Sequence, residues 1–235
     1  MKIIKKYGLA IFWVVLVLDC LLCIVNSHKD RIYTKPLLLP TLTAYFFVNT
    51  KRSKHFNTKS LIYLGLTIAW VCDWLLLQND IQYNTNSLFL FIGISCLLTA
   101  FLIFGLIFKK MKGIDIKDCQ EAFLSAFAMS IASILFYNVL RTMPLGNFKY
   151  LIIVGMIIMT TVMALAANVH RDKIKKSMSY SFFIPGTLIL IISISILIAH
   201  KFILPDATFL PAVILLTYGF GMMLMMRGFT KYLKV

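Results

Sequence analysis

The chain has 235 residues, of which 60% are hydrophobic and 14% charged, and its 24 Lys and Arg against 9 Asp and Glu give a formal net charge of +15. Soluble domains carry about a quarter charged residues, so this composition excludes an ordinary water-soluble fold and fits an all-α, polytopic transmembrane bundle. The positive charge does not point to a nucleic-acid partner, because the basic residues lie between apolar blocks and no basic segment carries the interleaved aromatics on which bases stack.

Eight apolar blocks follow one another, most of them near the roughly 20 residues needed to cross a bilayer. The first, Tyr7 to Val25, comes after Lys2, Lys5 and Lys6. It is too long for the apolar region of a signal peptide and no small-x-small site follows it, so it reads as a span that is kept. The second, Tyr33 to Val48, is short and contains two prolines. Pro36 suits a first helical turn, and Pro40 is expected to kink or tighten the helix behind it. The others are Ser60 to Leu77, Ser87 to Phe108, Ala122 to Leu140, Tyr150 to Val169, Tyr180 to Ala199 and Ala207 to Gly228. No linker rich in Gly, Ser or Pro divides them, so residues 1–235 are expected to form a single integral-membrane domain.

The basic residues set the direction. Lys2, Lys5 and Lys6 precede the first span; Lys51, Arg52, Lys54 and Lys59 fill the second link; Lys109, Lys110, Lys112 and Lys117 the fourth; Arg171, Lys173, Lys175 and Lys176 the sixth; Arg227, Lys231 and Lys234 the C-terminus. These eighteen face only six on the other side: Lys29, Arg31, Lys35, Arg141, Lys149 and Lys201. The positive-inside rule then places both termini in the cytoplasm. A multi-pass protein of a bacterial cytoplasmic membrane is expected.

With direction fixed, the polar residues fall in the outer halves of the spans. Asp19 lies about six residues from the outer end of the first span and Asp73 about four from that of the third. Lys35 stands at the outer mouth of the second, Arg141 ends the fifth behind Tyr137 and Asn138, and Ser193 and Ser195 lie in the outer half of the seventh. An ionisable side chain in a span costs about 2.5–3.5 kcal/mol on insertion scales and usually faces the bundle interior with a partner or a task. Two carboxylates at similar depth with Lys35 nearby point to a polar pocket open on the outer side. The structural alternative pairs either carboxylate with Lys35, Arg141 or helix-end donors. For Asp19, outside any motif, the structural role is favoured.

Neither metal nor cofactor is expected. His28, His55, His170 and His200 all sit at links or span ends, and Cys20, Cys23, Cys72 and Cys96 lie singly or three apart in apolar blocks, without zinc-ligand spacing. With Cys119 they make an odd set that reads as packing residues and not as a disulfide framework. No G-x-S-x-G, H-E-x-x-H or phosphate-binding Gly loop is present.

The order of several short motifs resembles the YhhN-like lysoplasmalogenase family. The stretch from Gly65 to Leu77, with Asp73-Trp74-Leu75-Leu76-Leu77 at its end, resembles that family's G…G-D-x-x-L-L block. Thr34-Lys35-Pro36-Leu37 looks like its K-P opening of the second span. Phe89 to Phe104 is similar to its next helix, Gly186 to Phe202 to its G…S-D…F segment, and Thr217-Tyr218 to its T-Y-Y-x-x-Q. The resemblance implies an eight-span enzyme that cleaves the vinyl-ether bond of lysoplasmalogens, giving an aldehyde and a glycerophospho-alcohol, with paired acids as its machinery. It implies Asp73 in catalysis, with Lys35, Ser193 and Tyr218 around a lysophospholipid-type substrate drawn from the membrane lipids; by depth alone, Asp19 is the candidate second acid and Ser195 and Arg141 are further candidates for substrate contact. The chain departs from the pattern at four places: the Asp of the S-D pair falls at Ile194, a His at Phe101, a Tyr at Phe104 and the terminal Gln at Met222. An Ile cannot deliver a proton. A weakened lipid hydrolase, a non-catalytic lipid binder and a small-solute transporter are therefore the competing functions.

Overall fold

A computed structural model describes residues 2–25, 30–51, 53, 55–81, 87–112, 120–169 and 173–234. Every regular element among them is helical: α1 (Lys2–Ile24), α2 (Arg31–Thr50), α3 (Phe56–Ile81), α4 (Ser87–Lys112), α5 (Gln120–Leu140), α6 (Phe148–Ala167), α7 (Lys173–Met178), a π-helical turn (Ser179–Phe183), α8 (Ile184–Phe202) and α9 (Leu210–Tyr232). Helices satisfy the backbone polar groups that a bilayer cannot. Among the described residues seven segments are long and apolar enough to cross a membrane: Lys6–Ile24, Phe56–Gln78, Leu88–Met111, Gln120–Leu140, Phe148–Ala167, Lys175–Phe202 and Leu210–Tyr232. The chain is a multi-pass integral membrane protein. Helix α2 is less apolar, since it carries Arg31, Lys35 and two prolines, yet its 20 residues extend about 30 Å and Leu38, Leu39, Leu42 and Phe46 are buried.

Helices α1, α2, α3, α4, α6, α8 and α9 pack in that order, and α9 closes the ring against α1. Helix α5 lies outside the ring against α6. Only 6% of its span is buried, against 61% for α4 and for α9, so α5 is the peripheral helix. Small residues allow the closest approaches. A Cβ at Gly221 of α9 would stand 2.7 Å from Leu190 Cγ and 3.1 Å from the Gly186 carbonyl of α8. Without a hydrophobic force between helices in lipid, such backbone proximity is what holds them together. At the Lys-rich end Phe104, Phe108, Phe183 and Phe229 fill the ring, with centroids 5.1 to 6.0 Å apart.

Two helices differ from their sequence expectation. Helix α2 starts at Arg31, not Tyr33, so Pro36 lies beyond the first turn and Pro40 inside the helix. Pro40 has no N–H for the Pro36 carbonyl. Trp70 of α3 supplies the missing donor, its indole Nε1 lying 2.9 Å from that oxygen. The second case is the span before α8, which runs back through the π-helical turn into α7, so Lys175 and Lys176 ride on a helix and not in a link. The wider turn has a local cause: Pro185 follows it at the start of α8 and cannot continue the α-helical ladder. The Ile184 N–H bonds the Ser179 carbonyl, five residues back, and the Ser179 hydroxyl donates to the Ala166 carbonyl of α6 at 2.8 Å.

Candidate functional site

Arg31, Thr34 and Lys35 occupy one face of α2, at the i, i+3 and i+4 positions that put side chains side by side. The first two hold Asp19. Arg31 Nε lies 3.2 Å from Asp19 Oδ1 and the Thr34 hydroxyl donates to the same oxygen at 2.8 Å. Asp19 is fully buried and Arg31 nearly so. The carboxylate of α1 is thus tied to the first turn of α2, through the helix-end donors Arg31 and Thr34 and not through Lys35 or Arg141. Sequence reasoning missed Arg31 because it was counted among the charges of a link.

Beside this tie a cavity opens among α2, α3, α8 and α9, about 690 Å³ including its mouth. Lys35, Asp73, Ser193, Ile194 and Tyr218 all line it. Asp73 is buried, and the Tyr218 hydroxyl faces its carboxyl across a gap that no strict hydrogen bond spans. Asp73 Oδ2 and the Tyr218 hydroxyl have no hydrogen-bond partner among the described residues. Buried polar atoms are nearly always satisfied, so a pair left open on a cavity wall is equipped for a polar ligand. Lys35 lies close enough to act on the Asp73 charge but makes no ion pair among the described residues. The Ser193 hydroxyl donates to the Ile214 carbonyl at 2.8 Å, which ties α8 to α9 and leaves its oxygen lone pairs free to accept. Arg31, His200 and Lys201 complete the polar part of the wall. One carboxyl shares this wall with several basic groups, of which Arg31 is held by Asp19.

Not every expected residue reaches this cavity. Arg141 is exposed in the turn after α5 and lines no part of it, because α5 stands outside the ring. Ser195 faces a second cavity and folds its hydroxyl back onto the Ile191 carbonyl at 2.9 Å. Phe101, Phe104 and Met222, where the resembled pattern has polar groups, are buried in the apolar core. Ile194 does face the cavity that holds Asp73. Among the described residues no three His, Cys, Asp or Glu side chains converge to hold a metal ion.

One buried acid beside a phenol, with a cation within electrostatic reach, can donate a proton to a bound substrate and take one back from water. The model of the YhhN family matches residues 30–229 of the chain, a stretch that contains every residue of this cavity. No curated protein and no solved structure gives a significant match.

Proposed function

The chain belongs to the YhhN family, and from that membership we propose that it binds a lysoplasmalogen-type lipid between α2, α3, α8 and α9 and hydrolyses its vinyl ether slowly. The observation that carries this reading is the convergence of Lys35, Asp73, Ser193, Ile194 and Tyr218, from four helices, on one cavity. Lys35 binds the phosphate of the headgroup. Asp73 in its acid form protonates the alkenyl carbon next to the ether-bearing carbon, which leaves an oxocarbenium ion and a carboxylate. The carboxylate then takes a proton from the water that adds to the cation. The hemiacetal collapses to a long-chain aldehyde and a glycerol hydroxyl, so one water is consumed and Asp73 ends as it began. Tyr218 orients the carboxyl.

The reaction is slow because one group serves as acid and base in turn. A positioned acid or base is typically worth about 10²–10⁴ in rate, and Ile194 stands where the family pattern has the second acid. That substitution also supports the runner-up, a lipid binder without turnover. The protein sits in a bacterial cytoplasmic membrane with its Lys-rich end inside, so that the cavity faces outward. Lipid retention tests the binding half of this reading. Native mass spectrometry of the purified protein with a lysoplasmalogen should show one bound lipid, weakened by Lys35→Ala; equal binding by both proteins would remove Lys35 from the site.

A further inference from the structure

Behind Ile194 lies a second cavity, lined by α4, α5, α6 and α8, with about 850 Å³ of empty space counting its open mouth. Its wall includes Leu98, Ala132, Gly155 and Ile191, and only Ser133 and Ser195 contribute polar side chains. The Ser195 hydroxyl is already bonded to its own helix. Cavities of this kind take up apolar groups and not water. Ile194 lines both cavities, so a single side chain stands where the polar site meets the apolar one.

The dimensions identify the occupant. The wall runs from Phe148 to Met159 on α6 and from Leu188 to Ile198 on α8. At about 1.5 Å per helical residue either stretch is about 15–17 Å long, half of a hydrocarbon core of about 30 Å. That is the depth of one leaflet. Both stretches lie in the same half of the bundle as Asp73, towards the end where α3 meets α4 and α8 meets α9. Helix α5, packed at the edge of the ring, forms the outer wall of the cavity.

We infer that this cavity is a hydrocarbon-chain subsite: the single chain of a lipid lies between α4, α5, α6 and α8, its polar head lies in the cavity of Lys35 and Asp73, and the bond joining head to chain falls at Ile194. The inference rests on the lipid reading above and adds where the chain goes. Among the described residues Ile194 is shared by this apolar cavity and the polar one, which gives room for one chain.

Two measurements test it. In the first, purified wild-type protein and the filled variants Ala132→Phe and Ser195→Leu are given two single-chain phosphoethanolamine ethers, with chains of about ten and about sixteen carbons. Overpacking a snug apolar site costs about 1–3 kcal/mol, roughly five- to 150-fold in affinity. Both variants should therefore weaken the longer lipid about tenfold or more, with Ala132→Phe sparing the shorter one, whereas Lys35→Ala weakens both. In the second, the wild-type protein is illuminated with a lipid that carries a diazirine at the chain terminus. Crosslinks should map to α5 and α6 around Ala132 and Gly155. Crosslinks elsewhere, or unaltered long-chain binding in both folded variants, would overturn the subsite while leaving the headgroup site standing if Lys35→Ala still acts. Failure of the wild-type protein to bind either lipid would overturn both readings together.

Discussion

The indole N–H of Trp70 bonds the Pro36 carbonyl at 2.9 Å, across the contact between α3 and α2. That carbonyl would bond the N–H of residue 40 in an uninterrupted helix, and Pro40 has none. Trp70 lies one turn before Asp73 on α3, and Pro36 follows Lys35 directly on α2. The bond therefore fixes the two helices at the level where the acid and the cation of the cavity meet.

This relationship gives a thermodynamic cycle. Trp70→Phe removes the donor and leaves a carbonyl without a partner, at a cost of about 1–3 kcal/mol. Pro40→Ala restores the backbone donor. In the double variant the loss should shrink to well under half, read as thermal stability in detergent. Additive losses would show that the indole bond and the proline are independent.

The buried pair of Asp19 and Arg31 predicts a different pattern. Removing one partner strands a charge and costs about 3–5 kcal/mol, so Asp19→Leu should be severely destabilised. Replacing both, with Asp19→Leu and Arg31→Met, should recover most of the stability. If Asp19→Leu were stable and inactive, Asp19 would be a member of the reaction machinery and not a tie between α1 and α2.

Ile194 offers a gain-of-function test. It lines the cavity of Asp73, so Ile194→Asp places a second carboxyl beside the first. Aldehyde release should rise about tenfold or more, and Ile194→Asn, of similar size without the acid, should not raise it. Equal rates in the two variants would mean that the chemistry does not use that position.

Orientation is open to labelling. With the native cysteines replaced, Thr142→Cys, in the turn after α5, should react with an impermeant maleimide in intact cells. Ser53→Cys, between α2 and α3, should react only after the membrane is opened. The reverse pattern would contradict the charge rule on which the depth of the site rests.

The helical layout was legible because bilayer physics writes it plainly: apolar blocks of span length, separated by links whose Lys and Arg alternate in density. Lys35, Asp73 and Tyr218 were legible through motif order. What the sequence hid is packing. Arg141 sits at the right depth, but depth says nothing of a helix's place in the ring, and α5 is outside it. Ser193 and Ser195 are two residues apart, hence about 200° around a helix, and face different cavities. Arg31 passed as a topology charge because the helix extends past its apolar block. The chain cavity has no motif at all, since four helices make it from ordinary Leu, Ile and Met.

Aldehyde release from a lysoplasmalogen, followed over time with purified protein and with Asp73→Asn, decides whether the buried acid does the chemistry. Slow release by the wild-type chain and none by the variant is the expected result, with lipid still bound by both. Release at the same rate from both would contradict the role of Asp73, and lipid held by the wild-type chain without any release would make the protein a binder and not a hydrolase.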